Sequence, residues 1–366
     1  MKPPPMQFDI GLTVNKQGKP CLDCQFNVPK LLNTTASLSV DASLSSLIAH
    51  SLNLRYTLPL GGERGWIFSA EAVKQMNDYT FASSFTEAAT GFRFAVSIPK
   101  HTIGFDAHLR DIFPSIASTG CRLMASEQVR RMPLRSIKTS VNYKFLLDTV
   151  ERKSAANAHP IAGSRFSFLA DVSGLFGDVN ALKLDSAWTS HQTILTKGLV
   201  WHRRIAGGII APSRRSPTPI QDRFFLGGTN EESSCFRGFS MRSMGPAGKR
   251  ISTGNPKKND KLYDHLGGDV YVSIGNSVSF PIYCKDNIDV RGFIFAQAGS
   301  LVPSLHARVG SDLAKNVRAS VGFGAVVPIG GVGTVELTIG KPVYGMTQSD
   351  YQQMLQIGIR ISNMQK

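Results

Sequence analysis

The sequence predicts an all-β fold, a sixteen-stranded antiparallel transmembrane β-barrel with one long loop between strands 11 and 12. Three observations predict it. The helical period of 3.6 is almost absent, while a period of two recurs from end to end. The alternating segments carry long apolar and aromatic residues on one face and Arg, Lys, Asp and His on the other. No run of about 20 apolar residues is present to form a membrane helix. The most apolar stretch, Val321 to Val335, is broken by Gly322, Gly324, Pro328, Gly330, Gly331 and Gly333.

Taken in order, the first strands fall near 6–15, 21–28, 36–45 and 48–58, the fourth containing Leu52-Asn-Leu-Arg-Tyr-Thr-Leu58. The next fall near 65–76, 90–98, 102–111 and 136–148. In Ile103-Gly-Phe-Asp-Ala-His-Leu-Arg110, positions 103, 105, 107 and 109 are apolar and the intervening ones are Gly, Asp, His and Arg. A strand sends alternate side chains to opposite faces, so this segment has one greasy and one wet side. The second half places strands near 163–173, 179–191, 196–210, 267–281, 290–300, 317–328, 332–343 and 353–362. Val335-Glu-Leu-Thr-Ile-Gly340 alternates, and so does the C-terminal segment, where Leu355, Ile357, Ile359 and Ile361 interleave with Gln356, Gly358, Arg360 and Ser362. Turn chemistry at Lys16-Gln-Gly-Lys-Pro20, Pro59-Leu-Gly-Gly62 and Gly330-Gly331 separates neighbours. Helix is confined to loops, with 122–131 the best short candidate.

Alternation alone also fits a soluble all-β protein. Sixteen strands without domain punctuation would then need a very large sandwich or a propeller, and no blade-length repeat is present. A membrane barrel turns the greasy faces to lipid, fills its lumen with polar groups and must close its sheet, which an even strand number suits.

Composition bounds the function. Of 366 residues, 42% are apolar and 18% charged, which is too apolar for a disordered chain. Five scattered cysteines make no disulfide framework. Lys plus Arg is 41 against 26 Asp plus Glu, a net charge of +15. The basic pairs Arg130-Arg131, Arg203-Arg204, Arg214-Arg215 and Lys257-Lys258 suit loops against anionic headgroups; there is no nucleic-acid-binding fold for them to serve, and no nucleic-acid partner is expected. The start, Met1-Lys2-Pro3-Pro4-Pro5, has neither an apolar signal core nor an Arg-rich presequence. The expectation is cytosolic synthesis, so that the sequon Asn33-Thr34-Thr35 stays unused.

No catalytic constellation, cofactor site or metal site emerges. Gly245-Pro-Ala-Gly-Lys249 lacks the first glycine and the Ser/Thr of a phosphate loop. Cys21 and Cys24, three apart on a strand, face opposite sides and have no second pair. His108 sits on a wet face and reads as a lumen residue.

Between strands 11 and 12 the alternation stops from Pro212 to His265, far longer than the usual connection of about 4–6 residues. This loop holds Asp222-Arg-Phe-Phe-Leu-Gly-Gly-Thr-Asn230, with Phe225, Leu226, Gly227 and Gly228 as an FLGG motif. It then holds Phe236, Arg237, Gly238 and Phe239, followed by Ser240-Met241 and Gly245-Pro246. Tyr263-Asp-His-Leu-Gly-Gly-Asp269 opens the next strand, which runs to Phe280-Pro281. The stretch from Lys249 to Lys261 is polar and basic and reads as a mobile excursion.

In this order the motifs resemble those of the outer-membrane barrel insertases of the bacterial surface antigen superfamily. Within it the chain is most similar to the sorting-and-assembly barrel subunits of the mitochondrial outer membrane. The likeness continues through Phe293-Ile-Phe-Ala-Gln-Ala-Gly299, Gly322-Phe-Gly-Ala-Val-Val-Pro328 and Gln356-Ile-Gly-Ile-Arg-Ile361.

The resemblance implies that the loop folds into the lumen and that its arginine, here Arg237, bonds to acidic or amide groups on the inner wall. The family's acid on strand 13 corresponds to Gln297, which is neutral, and strand 12 offers Asp269 at its start. The resemblance also implies a lateral gate between strands 1 and 16. Its edges would be Phe8, Ile10, Gly11, Leu12 and Val14 on one side and Leu355, Ile357, Gly358, Ile359 and Ile361 on the other, with the two glycines weakening closure. An N-terminal polypeptide-transport-associated domain, usual in the family, is not expected, because strand 1 begins near residue 6 and the barrel takes 1–366.

The function so implied is insertion and folding of β-barrel precursors in the mitochondrial outer membrane, with a plastid envelope as runner-up. The partners implied are barrel precursors, accessory subunits of the assembly complex and the lipid bilayer. A passive pore is the alternative, although a pore has no need of the loop motifs.

Overall fold

In a computed structural model the described residues are 7–14, 20–31, 34–45, 50–60, 65–115, 123–154, 157–195, 198–213, 217–229, 234–252, 261–285, 288–329 and 333–361. Besides short strands in the connections, of which Glu151–Ser154 joins the main sheet, the wall strands are β1 (Gln7–Val14), β2 (Pro20–Val28), β3 (Ser37–Leu44), β4 (His50–Leu60), β5 (Trp66–Asp78), β6 (Phe85–Ile98), β7 (His101–Pro114) and β8 (Arg135–Asp148). They continue as β9 (Asn157–Gly177), β10 (Ala181–Leu195), β11 (Leu199–Pro212), β12 (Val270–Lys285), β13 (Ile288–Val302), β14 (Arg318–Ile329), β15 (Gly333–Tyr344) and β16 (Leu355–Ile361). Each pairs antiparallel with the next in sequence, from β1–β2 to β15–β16.

The wall alternates as the period of two requires. On β13, Phe293 and Phe295 are 6% exposed and Gln297 7%, while Ile294 between the two phenylalanines is 56% exposed. The outer face continues with Phe92 and Phe94 on β6, Ile103 and Leu109 on β7, Ile205 and Ile209 on β11, and Phe323 on β14. In water, so much exposed apolar surface would be an aggregation liability; facing hydrocarbon, it is the belt that holds the sheet in a bilayer. The inner face carries an ionic ladder. Arg55 and Arg93 bracket Glu71 at 3.1 and 3.3 Å, Arg93 also meets Asp106 at 3.0 Å, and Asn142 donates to Asp106.

The strand between 85 and 98 begins five residues earlier than its alternation shows. Phe85-Thr-Glu-Ala-Ala-Thr has small residues and a glutamate that carry little strand preference, and the ladders to β5 and β7 impose the conformation. Helix is short and lies in connections: α1 (Thr80–Ser83), α2 (Glu127–Arg130) and α3 (Val309–Lys315). The second of these falls within the 122–131 candidate. Positions 253–260, at the centre of the basic excursion, and Asn33 of the sequon lie outside the described residues, as do Arg214 and Arg215.

Candidate functional site

The described parts of the loop between β11 and β12 pack against the inner wall. Isolated bridges shape it: Phe224 with Gly268, Leu226 with Met244, Gly228 with Phe236, and Phe239 with Gln352 in the β15–β16 connection. Its apolar side chains bury themselves. Phe224, Leu226, Phe236, Phe239 and Met244 form one cluster with Ala187, Ala206, Ile210, Tyr271 and Leu301 of β10–β13. Phe225 and Ile220 join a second with Phe85, Ile112, Val129 and Met132 on the β6–β8 side. Two clusters on different walls fix the loop across the interior. Gly227 has φ +129°, and a Cβ there would lie 2.2 Å from the Ser240 carbonyl oxygen, so only glycine makes this turn.

The corner Phe236-Arg237-Gly238-Phe239 is held from four strands. Arg237 Nε donates to Glu336 Oε1 of β15 at 2.6 Å. Its guanidinium lies 5.3 and 5.4 Å from the ring centres of Phe293 and Phe295, cation–π range. Burial alone would lower the guanidinium's pKa; Glu336 outweighs it and holds the value above the ordinary one. The Arg237 carbonyl accepts from Gln297 Nε2 of β13 at 2.9 Å and from Ser320 Oγ of β14 at 2.7 Å. Gln356 of β16 holds the next two residues: its Oε1 accepts from Gly238 N at 2.8 Å and its Nε2 donates to the Phe239 carbonyl at 2.7 Å. Gly238 has φ +87° and lies so close to the wall that a Cβ would meet Ser320 Cβ at 3.3 Å and the Gly340 carbonyl carbon at 3.4 Å.

Two expectations about the lock need correction. Asp269 does not meet Arg237; it lies 3.5 Å from Arg223, because the start of β12 faces the entry of the loop and not its corner. Gln297 does reach Arg237, but through the backbone carbonyl, since an amide can donate where a carboxylate cannot. The acid that pairs the guanidinium is Glu336. It and Gln356 stand on the wet phase of segments already read as alternating, so the phase marked them as lumen-facing; nothing in one strand's pattern tells which lumen residue meets a loop 99 positions away.

The seam lies between β1 and β16. Among the described residues β1 has a ladder only to β2 and β16 only to β15. Ile10 faces Cys24, Gly11 faces Asp23, Leu12 faces Leu22 and Val14 faces Pro20. Across the other pair, Ile357 faces Leu337, Gly358 faces Glu336, Ile359 faces Val335 and Ile361 faces Gly333. Phe8, Leu355 and Ile357 are exposed apolar residues; the side chains of Ile10, Leu12, Val14, Ile359 and Ile361 lie outside the described residues. Both strands are short, 8 and 7 residues against the 12 of β15 and the 15 of β13. Beside β2–β5 the loop leaves a cavity of about 520 Å³, lined among others by His50, Gln75, Asn77, Arg223 and Arg242.

The sequence model of the Omp85 superfamily domain matches residues 30–362. The chain belongs to the Omp85 superfamily. Among curated relatives it is similar to the Sorting and assembly machinery component 50 homolog of Bos taurus, 27% identical over 318 residues, covering 82% of this chain and 61% of that one. It is similar to the human protein of that name at 26% over 311 residues, covering 80% and 59%. Homolog B of Xenopus laevis is 25% identical over 351 residues, covering 90% and 66%. The chain thus spans about three-fifths of the length of the first two relatives. Its fold is that of BamA from Haemophilus ducreyi lacking POTRA domains 1-3, with a TM-score of 0.73 at 15% identity over 97% of this chain and 75% of that one.

Proposed function

We propose that this Omp85 barrel inserts and folds β-barrel precursors in the mitochondrial outer membrane. The observation that carries the reading is the seam. Among the described residues β1 presents a strand edge with no ladder on one side. An open edge is a template for strand addition, in which backbone hydrogen bonds supply affinity without regard to sequence. The cavity beside β2–β5 gives a polar chain room on the lumen side of that edge. The Omp85 relatives named for sorting and assembly machinery support the same reading and the mitochondrial outer membrane as its location.

In this account a precursor's last strand pairs with β1, later strands follow as hairpins, and the finished barrel buds off into lipid. No covalent bond forms or breaks, so no cofactor or metal is required. The loop keeps β15 and β16 in place while the β1 edge is in use. Accessory subunits of the assembly complex are the partners that go with the activity, and residues 1–366 are taken as one barrel unit.

Depletion of the protein in its native cells tests the proposal. The abundant channel barrels of the mitochondrial outer membrane should fall while helical outer-membrane proteins persist. Unchanged barrels together with altered solute permeability would instead mark a passive pore.

A further inference from the structure

The gate strand is held by the Arg237 corner, but the corner sits on a loop that must itself be fixed. Its other anchor lies near the loop's entry. Asp222, at the end of the short turn Ile220–Asp222, is enclosed by cations from three strands. Arg110 Nη1 of β7 meets Asp222 Oδ2 at 2.8 Å. Lys138 Nζ of β8 meets Oδ1 at 2.9 Å and also Asp171 of β9 at 3.1 Å. Lys183 Nζ of β10 donates to the Asp222 backbone carbonyl at 2.8 Å. Glu87 stands 3.9 Å from Arg110 as its second acid. Burial opposes a charge on Asp222, yet Arg110 and Lys138 outweigh it and keep the carboxyl well below the usual carboxylate range.

A continuous path of contacts joins this anchor to the gate. Phe224 follows two residues on and is bridged to Gly268. Leu226 is bridged to Met244, Gly228 N donates to the Phe239 carbonyl at 3.0 Å, and Phe239 is held by Gln356 of β16. The two anchors have opposite charge: a carboxylate among wall cations at one end, a guanidinium on a wall carboxylate at the other.

We propose that Asp222 is a positioning residue of the gate: it fastens the loop to β7, β8 and β10, and so keeps the Arg237 corner seated on β15 and β16. This rests on the gate reading above, but its first test does not. Removing the Asp222 charge leaves Arg110 and Lys138 facing a neutral group, so the loop leaves the wall more often. Cleavage of an opened segment tracks how often it opens.

The test is trypsin cleavage after Arg237 and Arg242 in the full chain in membranes, without precursor. Asp222→Asn should raise the cleavage rate roughly tenfold or more, although residue 222 is fifteen positions away from Arg237. Asp222→Glu should restore much of the protection, and Lys138→Gln should raise cleavage in the same direction. In Asp222→Asn with Lys138→Gln the effect should be smaller than the product of the two single effects, because each removes the same ion pair. Unchanged cleavage in a folded Asp222→Asn chain, or effects that multiply independently, overturns the proposal. Should Asp222→Asn fail to fold, Lys138→Gln, which leaves the Arg110 pair, decides in its place. Precursor assembly is measured separately: if the loop is released and assembly holds, the anchor stands and its link to the gate fails.

Discussion

Arg237 of the lumen loop and Glu336 of β15 form a 2.6 Å ion pair, both side chains mostly enclosed by the wall. Removing the arginine leaves a buried carboxylate with one fewer partner, a change that typically costs about 3–5 kcal/mol. Arg237→Ala should therefore weaken precursor assembly while the protein is still made and inserted. Adding Glu336→Gln should recover part of the loss, since the stranded charge is then gone. Assembly at the normal rate in Arg237→Ala would remove the lock from the account.

Gln356 is a second, uncharged lock. Gln356→Ala strands Gly238 N in the interior, worth about 1–3 kcal/mol when left unpaired, and takes from the Phe239 carbonyl one of its two donors, the other being Gly228 N. Gln356→Glu keeps an acceptor for Gly238 N but loses the donor to Phe239, so it should not rescue. Protease protection of the loop in the three proteins orders them, with wild type highest.

Gly238→Ala tests the fit of the corner. Its φ of +87° disfavours any side chain, and the added Cβ would press on Ser320 and Gly340. The strain is on the order of 1–3 kcal/mol, and the gap between corner and wall should widen. A lowered heat-unfolding temperature in detergent, with loop cleavage increased, is the expected result.

Acid should loosen the loop through His265. Its imidazole is fully buried against Tyr351, ring centres 5.1 Å apart, and neither ring nitrogen has a hydrogen-bond partner among the described residues. Burial lowers its pKa from 6.5 to about 4. The unfolded chain thus takes up a proton at a pH where the folded chain refuses it, and stability falls as the pH falls. The contribution, up to about 3 kcal/mol, is complete above pH 6.5 and is lost on descent toward pH 4. His265→Phe keeps the ring contact and removes the titration, so unfolding between pH 7 and 4, followed by gel mobility, should lose much of its pH dependence.

The strands were legible because a membrane wall imposes the period of two on nearly every residue. β13 and β16 show the phase without help from anything distant. The loop was legible as an interruption, and its Phe236 and Phe239 as aromatics that must be buried. The pairing of Arg237 was not, because Asp269 and Glu336 are both acids on the correct face and only the curvature of the sheet decides between them. Asp222 stayed hidden for the same reason: its cations come from β7, β8 and β10, each reading in sequence as an ordinary lumen residue.

The central claim is that the free edge of β1 receives the precursor. The most direct measurement is disulfide crosslinking from that edge to a precursor arrested during insertion. Leu12→Cys serves, as does Ile10→Cys in a Cys24→Ser background, because Ile10 pairs in register with Cys24. The account predicts crosslinks to the last strand of the precursor. With Ile357→Cys added and a cysteine in the precursor's last strand, disulfides only between the two introduced cysteines of the same chain would mean that the seam stays shut and that insertion takes place elsewhere.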